Sequence, residues 1–462
     1  MINVADNSRR HAKALGLLLA AALIFLAGCT GIATKDETAA REDFRVVTAR
    51  YRPQEAKPPL PALTPESGLG DLLRYALLNN PRVEAAYHAW AASVEEITTA
   101  RSLPDPMLNF GLEISRGVAA FTPTLMSDPG ENWPGPGKLP LKAEAAYADS
   151  LRRRALFEDE MLSAALAVKR AWYQMWVLGE QIRWTGDTLT LVNEIEALAR
   201  SRLAAGQVTQ QDVLRAQMER DQLRTRLANL EDGRSTVLAR LRAALGLPPS
   251  APLPALTWKL EPAPADWTEE SLLEIAFTRN PRLKAMQGEV RQAVALMALA
   301  RKTTVPDYSW GIGVNTVPSP AAIMPSFGIS LPLWRDKVAA EIARGGAGVG
   351  EARARLSAEE LDLAVRFAEA AYAWREADRN VTLYGERLAP KARASVEAAR
   401  AGYAAGLTPF IDLLDAERTL LEYRLNHASA AGQRETALAE MSLAILGRWP
   451  GEVPVILGES SK

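Results

Sequence analysis

Cysteine occurs once and histidine three times in 462 residues. A single thiol forms no internal disulfide, and so few imidazoles and thiols build no Cys/His zinc cage. Positive charge is not in surplus either, with 54 Lys plus Arg against 55 Asp plus Glu. Removing residues 1–28 takes away Arg9, Arg10, Lys13 and Asp6 and leaves 51 basic against 54 acidic residues, a balance of −3. A chain without basic excess has little with which to neutralise a phosphate backbone, which argues against nucleic acid as a partner. Beyond the first thirty residues no stretch approaches 18 uninterrupted apolar residues, so no membrane-spanning helix is expected there. If that part of the chain crosses a membrane, it must do so as strands of a closed barrel. Apolar residues nevertheless make up 48% and charged residues 24%, enough for a large core and against wholesale disorder.

Catalytic constellations are missing as well. His11 lies in the leader, and His88 and His427 stand in helical contexts without a Ser- or Cys-centred motif nearby. The glycines of Gly345-Gly346-Ala347-Gly348-Val349-Gly350 lack the Lys-Ser/Thr of a phosphate loop and lie inside a helical pattern. A hinge or a close helix contact is expected there, because an interior Gly costs about 1 kcal/mol against Ala. Trp172, Trp176, Trp184 and Trp374 fall on helices, where core or interface packing is the expectation. The sequence suggests no enzyme, and no metal or cofactor site.

What is present begins with an address. Arg9, Arg10, His11 and Lys13 precede the 14-residue apolar run Ala14 to Ala27, too short for a spanning helix of roughly 20 residues. A basic start, a short apolar middle and small residues after it describe a secretory signal peptide. Leu26-Ala27-Gly28 is followed at once by the sole cysteine, Cys29, which resembles a bacterial lipobox. That resemblance implies a diacylglycerol and an N-acyl chain on Cys29, each buried CH₂ contributing roughly 0.8 kcal/mol of anchoring. Thr30 rather than Asp after the cysteine implies, by the same resemblance, the outer membrane of a Gram-negative bacterium. An ordinary signal peptide with an incidental cysteine is the plainer alternative.

The chain then says everything twice. A shift of 200 residues lays Asp71–Arg101 on Ser271–Arg301 with ten of 31 positions identical, Asn80/Asn280 and Pro81/Pro281 among them. The same shift lays Ala199–Gly206 on Ala399–Gly406 and superposes Asp212, Leu214 and Ala216 on Asp412, Leu414 and Ala416. One ungapped offset shared by separated blocks is a duplication. The organisation is a signal peptide at 1–28, an extended lipid-anchored segment at 29–66 and a first repeat at 67–245. A Pro-rich segment at 246–267, a second repeat at 268–447 and a tail at 448–462 follow.

Each repeat reads as helix, two strands, helix, turn, helix. Helices are expected at about 69–103, 141–204 and 210–245, and again at 268–304, 336–404 and 409–446. At 1.5 Å per residue, 141–204 alone spans roughly 95 Å, and the two shorter helices end to end match it. A rod about 100 Å long results; a compact bundle of broken helices is the alternative. Between the first two helices of each repeat the period changes to 2. Leu108, Phe110, Leu112 and Ile114 alternate with Asn109, Gly111, Glu113 and Ser115, and Trp310, Ile312 and Val314 with Gly311, Gly313 and Asn315. After Pro318-Ser319-Pro320, Phe327, Ile329, Leu331 and Leu333 alternate with Gly328, Ser330 and Pro332. Apolar outward and small or polar inward suits a transmembrane barrel strand, although a soluble amphipathic hairpin alternates too. The missing strand of the first hairpin is sought within Phe121 to Lys138, a stretch crowded with Pro and Gly. Two hairpins cannot close a barrel with a lumen, so the chain is expected to oligomerise, and three copies would supply twelve strands.

Duplication, lipobox, long helices, paired hairpins and the Ala-Gly-x₅-Asp-x-Leu-x-Ala tips together resemble the TolC family of outer-membrane efflux proteins. Pro136-Gly137-Lys138-Leu139 before the first long helix resembles its heavy-metal branch, the CusC/CzcC-like proteins. The resemblance implies a mainly α fold with a small β part: a homotrimer with a twelve-stranded outer-membrane barrel continued by a periplasmic α-helical barrel. It implies the exit duct of a tripartite pump, joined to a periplasmic adaptor (a membrane fusion protein) and an inner-membrane transporter of the RND type. The tips Gly206-Gln207-Val208-Thr209 and Gly406-Leu407-Thr408-Pro409 are, by this resemblance, the adaptor-docking end. Their residues also make good turns whatever they touch. Gly ends each first helix, Thr209 with Asp212 resembles a capping box, and Thr408 is an N-cap with Pro409 in the first helical position. Asp412 and Asp415 stand where the family places two constricting carboxylate rings; a solvated acidic pair at a helix N-terminus is the plainer reading. Heavy-metal cations or small toxic compounds are the implied cargo. The rival from another class is a pore-free periplasmic adaptor or scaffold lipoprotein, which would need one hairpin flanked by β-rich domains.

Overall fold

The computed structural model describes residues 33–53, 56–115, 118–127, 132–260, 269–315 and 322–444. The leader, Cys29 and the C-terminal tail lie outside the described residues. Ten α-helices and four strands are described: α1 (Lys35–Tyr51), α2 (Leu69–Asn79), α3 (Pro81–Arg101), β1 (Pro106–Ser115), β2 (Val118–Ser127), α4 (Lys138–Ala204) and α5 (Gln210–Ala244) in the first half. The second half holds α6 (Glu269–Arg279), α7 (Pro281–Arg301), β3 (Tyr308–Asn315), β4 (Ala322–Ile329), α8 (Arg335–Val381), α9 (Ala389–Ala404) and α10 (Phe410–Ala444). A 3₁₀ turn at Lys302–Thr304 follows α7, and a π turn at Thr382–Leu388 joins α8 to α9. Helices α2, α3 and α5 recur as α6, α7 and α10 at the same offset of 200 and with the same lengths of 11, 21 and 35 residues.

Local chemistry explains the recurrence. Asn80 breaks α2 from α3 by accepting from Arg82 N–H at 2.9 Å, with Pro81 opening the new helix. Asn280 does the same for α7, accepting from Arg282 and Leu283 N–H at 3.0 and 3.2 Å. Asn80 also donates to Ala244 O at 2.9 Å, and Asn79 to Leu245 O and Gly246 O at 2.9 and 3.1 Å, so these amides close the end of α5. Gly246 turns there with φ 70°, and a Cβ would stand 2.5 Å from Asn79 O.

Helix α4 runs unbroken for 67 residues, about 100 Å, and packs along α3, α5, α7 and α10, which removes the compact-bundle alternative. Small residues set the closest approaches. A Cβ on Gly288 of α7 would lie 3.0 Å from Arg152 of α4, and one on Gly345 of α8 would lie 3.2 Å from Met297 Cα of α7. Of the glycine run, Gly345 therefore makes the close helix contact, while Gly348 and Gly350 face open space and the helix continues through them. Trp172 is buried, edge-on to Trp258, and donates to Lys259 O at 2.8 Å. Leu256 is buried in the same cluster, so the segment after α5 is packed although irregular.

Three expectations are corrected. The segment 29–66 is not extended throughout, because α1 forms within it. Thr34 caps α1 by accepting from Glu37 N–H at 3.1 Å, and Phe44 and Tyr51 pack on Tyr87, Trp90 and Phe157. Glu37 is buried and paired with Arg101 and Arg41, and the hydrogen bond from Arg101 holds its carboxyl down at about 2 against the effect of burial, with Thr98 and Arg41 helping. The helix expected over 336–404 is interrupted by the π turn. Pro390 has no N–H to offer the carbonyl one turn back, and Ala389 N–H bonds five residues back to Tyr384 O instead. The weakly patterned strand begins at Val118, upstream of the window searched. Its Pro123 is tolerated because the β2–β3 ladder engages only Thr124–Met126.

Candidate functional site

The residues singled out in the sequence fall in two regions: the sheet at one end of the rod and the paired tips at the other. The sheet has the order β1-β2-β3-β4, antiparallel throughout. Directly opposed residues share a face, so the register alone sorts the side chains. Leu108↔Leu125↔Ile312↔Pro325 form one row, with Phe110↔Pro123, Leu112↔Phe121, Trp310↔Phe327 and Tyr308↔Ile329 on the same face. Asn109↔Thr124↔Gly313 and Gly111↔Thr122 take the other face, with Ser309↔Gly328 and Gly311↔Ser326. The apolar face is open: Phe110 is 64% exposed, Leu112 66%, Ile323 70% and Phe327 73%. So much bare apolar surface on one side, with small and polar residues on the other, is the pattern of a barrel wall between lipid and water. Strands β1 and β4 keep one edge each without a partner among the described residues. No described helix is long and apolar enough to cross a membrane.

The junction between sheet and rod is fixed across the two repeats. Trp133 and Tyr308 exchange backbone hydrogen bonds of 2.7 and 2.9 Å. Asp307 accepts from Gly135 N–H and from Lys138 Nζ, both at 2.7 Å. Gly137 adopts φ 83° just before α4. The Pro-Gly-Lys motif is thus a clamp whose partner, Asp307, gave no signal in the sequence.

At the far end both turns close alike. Gln207 N–H bonds Arg202 O and Leu407 N–H bonds Gly402 O, at 2.9 and 2.8 Å, with Gly206 and Gly406 at φ 73° and 74°. Thr209 then caps α5: its N–H and hydroxyl both donate to the Asp212 carboxylate, at 3.1 and 2.9 Å. The second tip departs from the expected capping. Helix α10 starts at Phe410, so Pro409 takes the cap place of Thr209 and Thr408 lies one residue outside, folded against Gly402. Proline has no N–H for Asp412, and Asp412 is exposed with no side-chain hydrogen bond among those described. Asp415 is 61% exposed on the same face and lies 3.6 Å from Arg418. Val208 is half-buried, while Gly206, Gln207, Thr209 and Gly406 are exposed and Leu407 is 83% exposed.

The two tips are tied together by residues the motif reading did not single out. Arg202 donates to Tyr403 O at 2.6 Å and Ala404 O at 2.8 Å and covers the Tyr403 ring at 4.5 Å. Burial raises the Tyr403 hydroxyl, partly offset by Arg202. Arg418 reaches Glu219 on α5 at 2.5 Å. Ile195, Val213, Tyr403, Phe410, Leu413 and Leu414 fill the core between the hairpins. One turn above Asp412 and Asp415, Glu417 is 3% exposed, and burial raises its carboxyl despite Arg400 and Arg424. The signal for Arg202 lay in the duplication, which sets it against Gly402.

Among the described residues no group of three or more His, Cys, Asp or Glu could hold a metal ion. The chain matches the family model described as "Outer membrane efflux protein" over residues 137–247 and 272–447. It is 22% identical over 397 residues to the cobalt-zinc-cadmium resistance protein CzcC of Cupriavidus metallidurans, covering 86% of this chain and 92% of that protein. The outer membrane protein VceC of Vibrio cholerae superposes with a TM-score of 0.69 at 16% identity, over 82% of this chain and 95% of that one. A crystal structure of CusC superposes with a TM-score of 0.70 at 16% identity, over 83% and 93%. At such identities the structural likenesses speak for the fold.

Proposed function

The chain belongs to the outer membrane efflux protein family, and on that premise we propose that three copies close their sheets into one barrel and their rods into one tunnel. The protein is an exit duct of the outer membrane. The observation that carries the finer reading is the two-faced sheet with two open edges: four strands enclose no lumen, and the β1 edge of one copy is free to meet the β4 edge of the next. The rival reading as a pore-free scaffold leaves the bare apolar face without an occupant.

In this reading a lipid on Cys29 anchors the chain at the same membrane. Arg101 ends α3 five residues before β1, and Glu37 pairs with Arg101, so the start of α1 lies at the sheet end of the rod. The residues between Cys29 and Lys35 reach up to about 20 Å when extended, enough to meet a leaflet there. The tips dock a periplasmic adaptor, and through it an inner-membrane transporter of the RND type supplies the energy. Asp412 and Asp415, exposed and three residues apart, narrow the throat as carboxylate rings that favour cations. The duct itself catalyses nothing. Its cargo is proposed to be metal cations, as the name of the relative CzcC suggests.

Charge placed on either face of the sheet tests the barrel. Phe110→Arg, on the apolar face, should cost roughly 2–4 kcal/mol and strip the protein from outer-membrane fractions. Thr122→Arg, on the other face, should assemble normally. Equal tolerance of both, with the protein still in the membrane fraction, would refute the proposed orientation.

A further inference from the structure

The duct reading makes no use of His427, which stands on α10 opposite the π turn that joins α8 to α9. Its imidazole lies so close to Gly385 in that turn that a Cβ there would stand 2.6 Å from Nε2 and 2.7 Å from Cδ2. One helical turn along α10, Tyr423 faces Tyr384 of the same π turn, with ring centroids 6.0 Å apart. The first repeat lacks this arrangement. At the offset of 200 the π turn falls inside unbroken α4, where Thr185 stands for Gly385, and Leu227 stands for His427.

The two sides of the contact are held unequally. Helix α10 is fixed to α4 here: a Cβ on Gly432 would run into Val177, and Gln181 donates to Ser429 Oγ at 3.2 Å. Helix α9 lies at the edge of the described chain, with Ala392 and Val396 packed against Leu420 of α10. Beyond that seat it is tied to α4 by exposed Arg400, 3.2 Å from Glu194, and by Arg202 at its last carbonyls. A helix seated by small side chains slides readily on its neighbour, and a π turn is a place where a helix can change register.

His427 is half-buried, and its ring makes no hydrogen bond among the described residues. Two charges act on it. Glu180 of α4 favours the imidazolium but is shared with Arg183 at 2.5 Å. Arg434 of α10 opposes it and is itself paired with Asp378 of α8 and with Glu435, at 3.4 and 2.9 Å. Glu386 and Arg387 of the π turn are exposed. Burial is the largest influence and holds the imidazole below its ordinary 6.5, so the neutral ring is the form that fits.

We infer that His427 and the π turn form a pH-sensitive latch: the neutral imidazole seats the turn on α10, and the imidazolium releases it, freeing α9 to slide and carry the second tip with it. In the proposed duct this tip bears Asp412 and Asp415, so the latch regulates the throat. That consequence rests on the duct reading; the latch itself does not. Because burial favours the neutral ring, the seat is intact above pH 6.5 and loosens as pH falls below it.

The full-length detergent-solubilised protein, labelled with ¹⁵N-histidine, has two imidazoles beyond the leader, His88 and His427, so NMR reads the titration of His427 directly. Its midpoint should lie below 6.5. Hydrogen exchange over 382–404, corrected for its intrinsic pH dependence, should quicken by roughly threefold or more as pH falls through that midpoint, while exchange over 182–204 stays level. His427→Phe keeps an aromatic ring without a titrating proton and should leave exchange over 382–404 flat with pH. His427→Gln, smaller than Phe, serves if the larger ring disturbs the packing. Gly385→Ala, whose Cβ displaces the imidazole, should quicken the exchange already at neutral pH and move the His427 midpoint up toward 6.5. A midpoint at or above 6.5, exchange indifferent to pH, or a wild-type response that persists without His427 would overturn the inference, the last assigning the response to Glu417 instead. The two failures are separable. If the wild type forms no channel while exchange follows His427, the duct reading fails and the latch stands; if it forms channels while exchange ignores His427, only the latch is lost.

Discussion

Thr209 and Asp212 at the first tip stand where Pro409 and Asp412 stand at the second, two hundred residues on. Both tips close with the same glycine turn and start a helix of 35 residues. At the first, Asp212 is consumed by its own backbone as the partner of Thr209, and Arg215 follows it. At the second, proline withdraws the N–H that Asp412 would have bonded, and Asp415 follows on the same exposed face. The pair Gln217 and Glu417 differs likewise: Gln217 hydrogen-bonds Glu196, while Glu417 keeps a carboxylate oxygen buried without a hydrogen bond. Duplication supplied one fold twice, and substitutions at three of these positions, Thr209/Pro409, Arg215/Asp415 and Gln217/Glu417, gave the second copy its acidic face. In the proposed duct the first hairpin is the structural copy and the second brings the carboxylates to the throat.

That contrast is most sharply broken by conductance. Asp412→Ala with Asp415→Ala should raise single-channel conductance in planar bilayers by about twofold or more, because these side chains narrow the throat, and weaken cation preference, because their charge sets it. Asp212→Ala with Arg215→Ala should leave conductance unchanged; equal effects at both tips would erase the distinction. A smaller effect separates the caps. Thr209→Ala should destabilise the start of α5 by about 1 kcal/mol, seen as faster hydrogen exchange over 210–216. Thr408→Ala should change exchange over 410–416 little, because Pro409 holds the cap place there.

The smallest effect belongs to Glu417. Its carboxyl is raised by burial from the ordinary 4.5, so the folded tip prefers the protonated form, and the cost of ionising it grows as pH rises above 4.5. Glu417→Gln, which copies Gln217, should therefore raise the melting temperature slightly at pH 7 and leave it unchanged below pH 4.5. A lower melting temperature at pH 7 would mean that Glu417 has a charged partner in the assembled protein.

Helix ends and lengths were legible in the sequence because their causes are local: Asn-Pro pairs, tip glycines and apolar spacing act within a few residues. The alternation of β1 and β3 was legible for the same reason, whereas β4 runs Ala322–Ile329 and ends before Leu331 and Leu333, which the alternation includes. Helix α1 was not, since the burial of Glu37 depends on Arg101 and Thr98, 64 and 61 residues away. Strand β2 was hidden by Pro123, whose missing N–H matters only if a neighbour asks for it at that register. The π turn had its signal in Pro390, which stands inside the helical pattern of 336–404. At the tips, Asp412 and Asp415 were visible as a spacing. Their freedom from capping depended on where α10 starts, and Arg202 and Arg418 depended on which helices lie side by side.

Closure of one barrel by several chains is tested most directly by the mass of the protein extracted from purified outer membranes, measured by light scattering with the detergent subtracted. A mass near three protomers is the predicted result. A monomer that leaves the membrane with its helicity intact would contradict the duct and leave a lipid-anchored scaffold in its place.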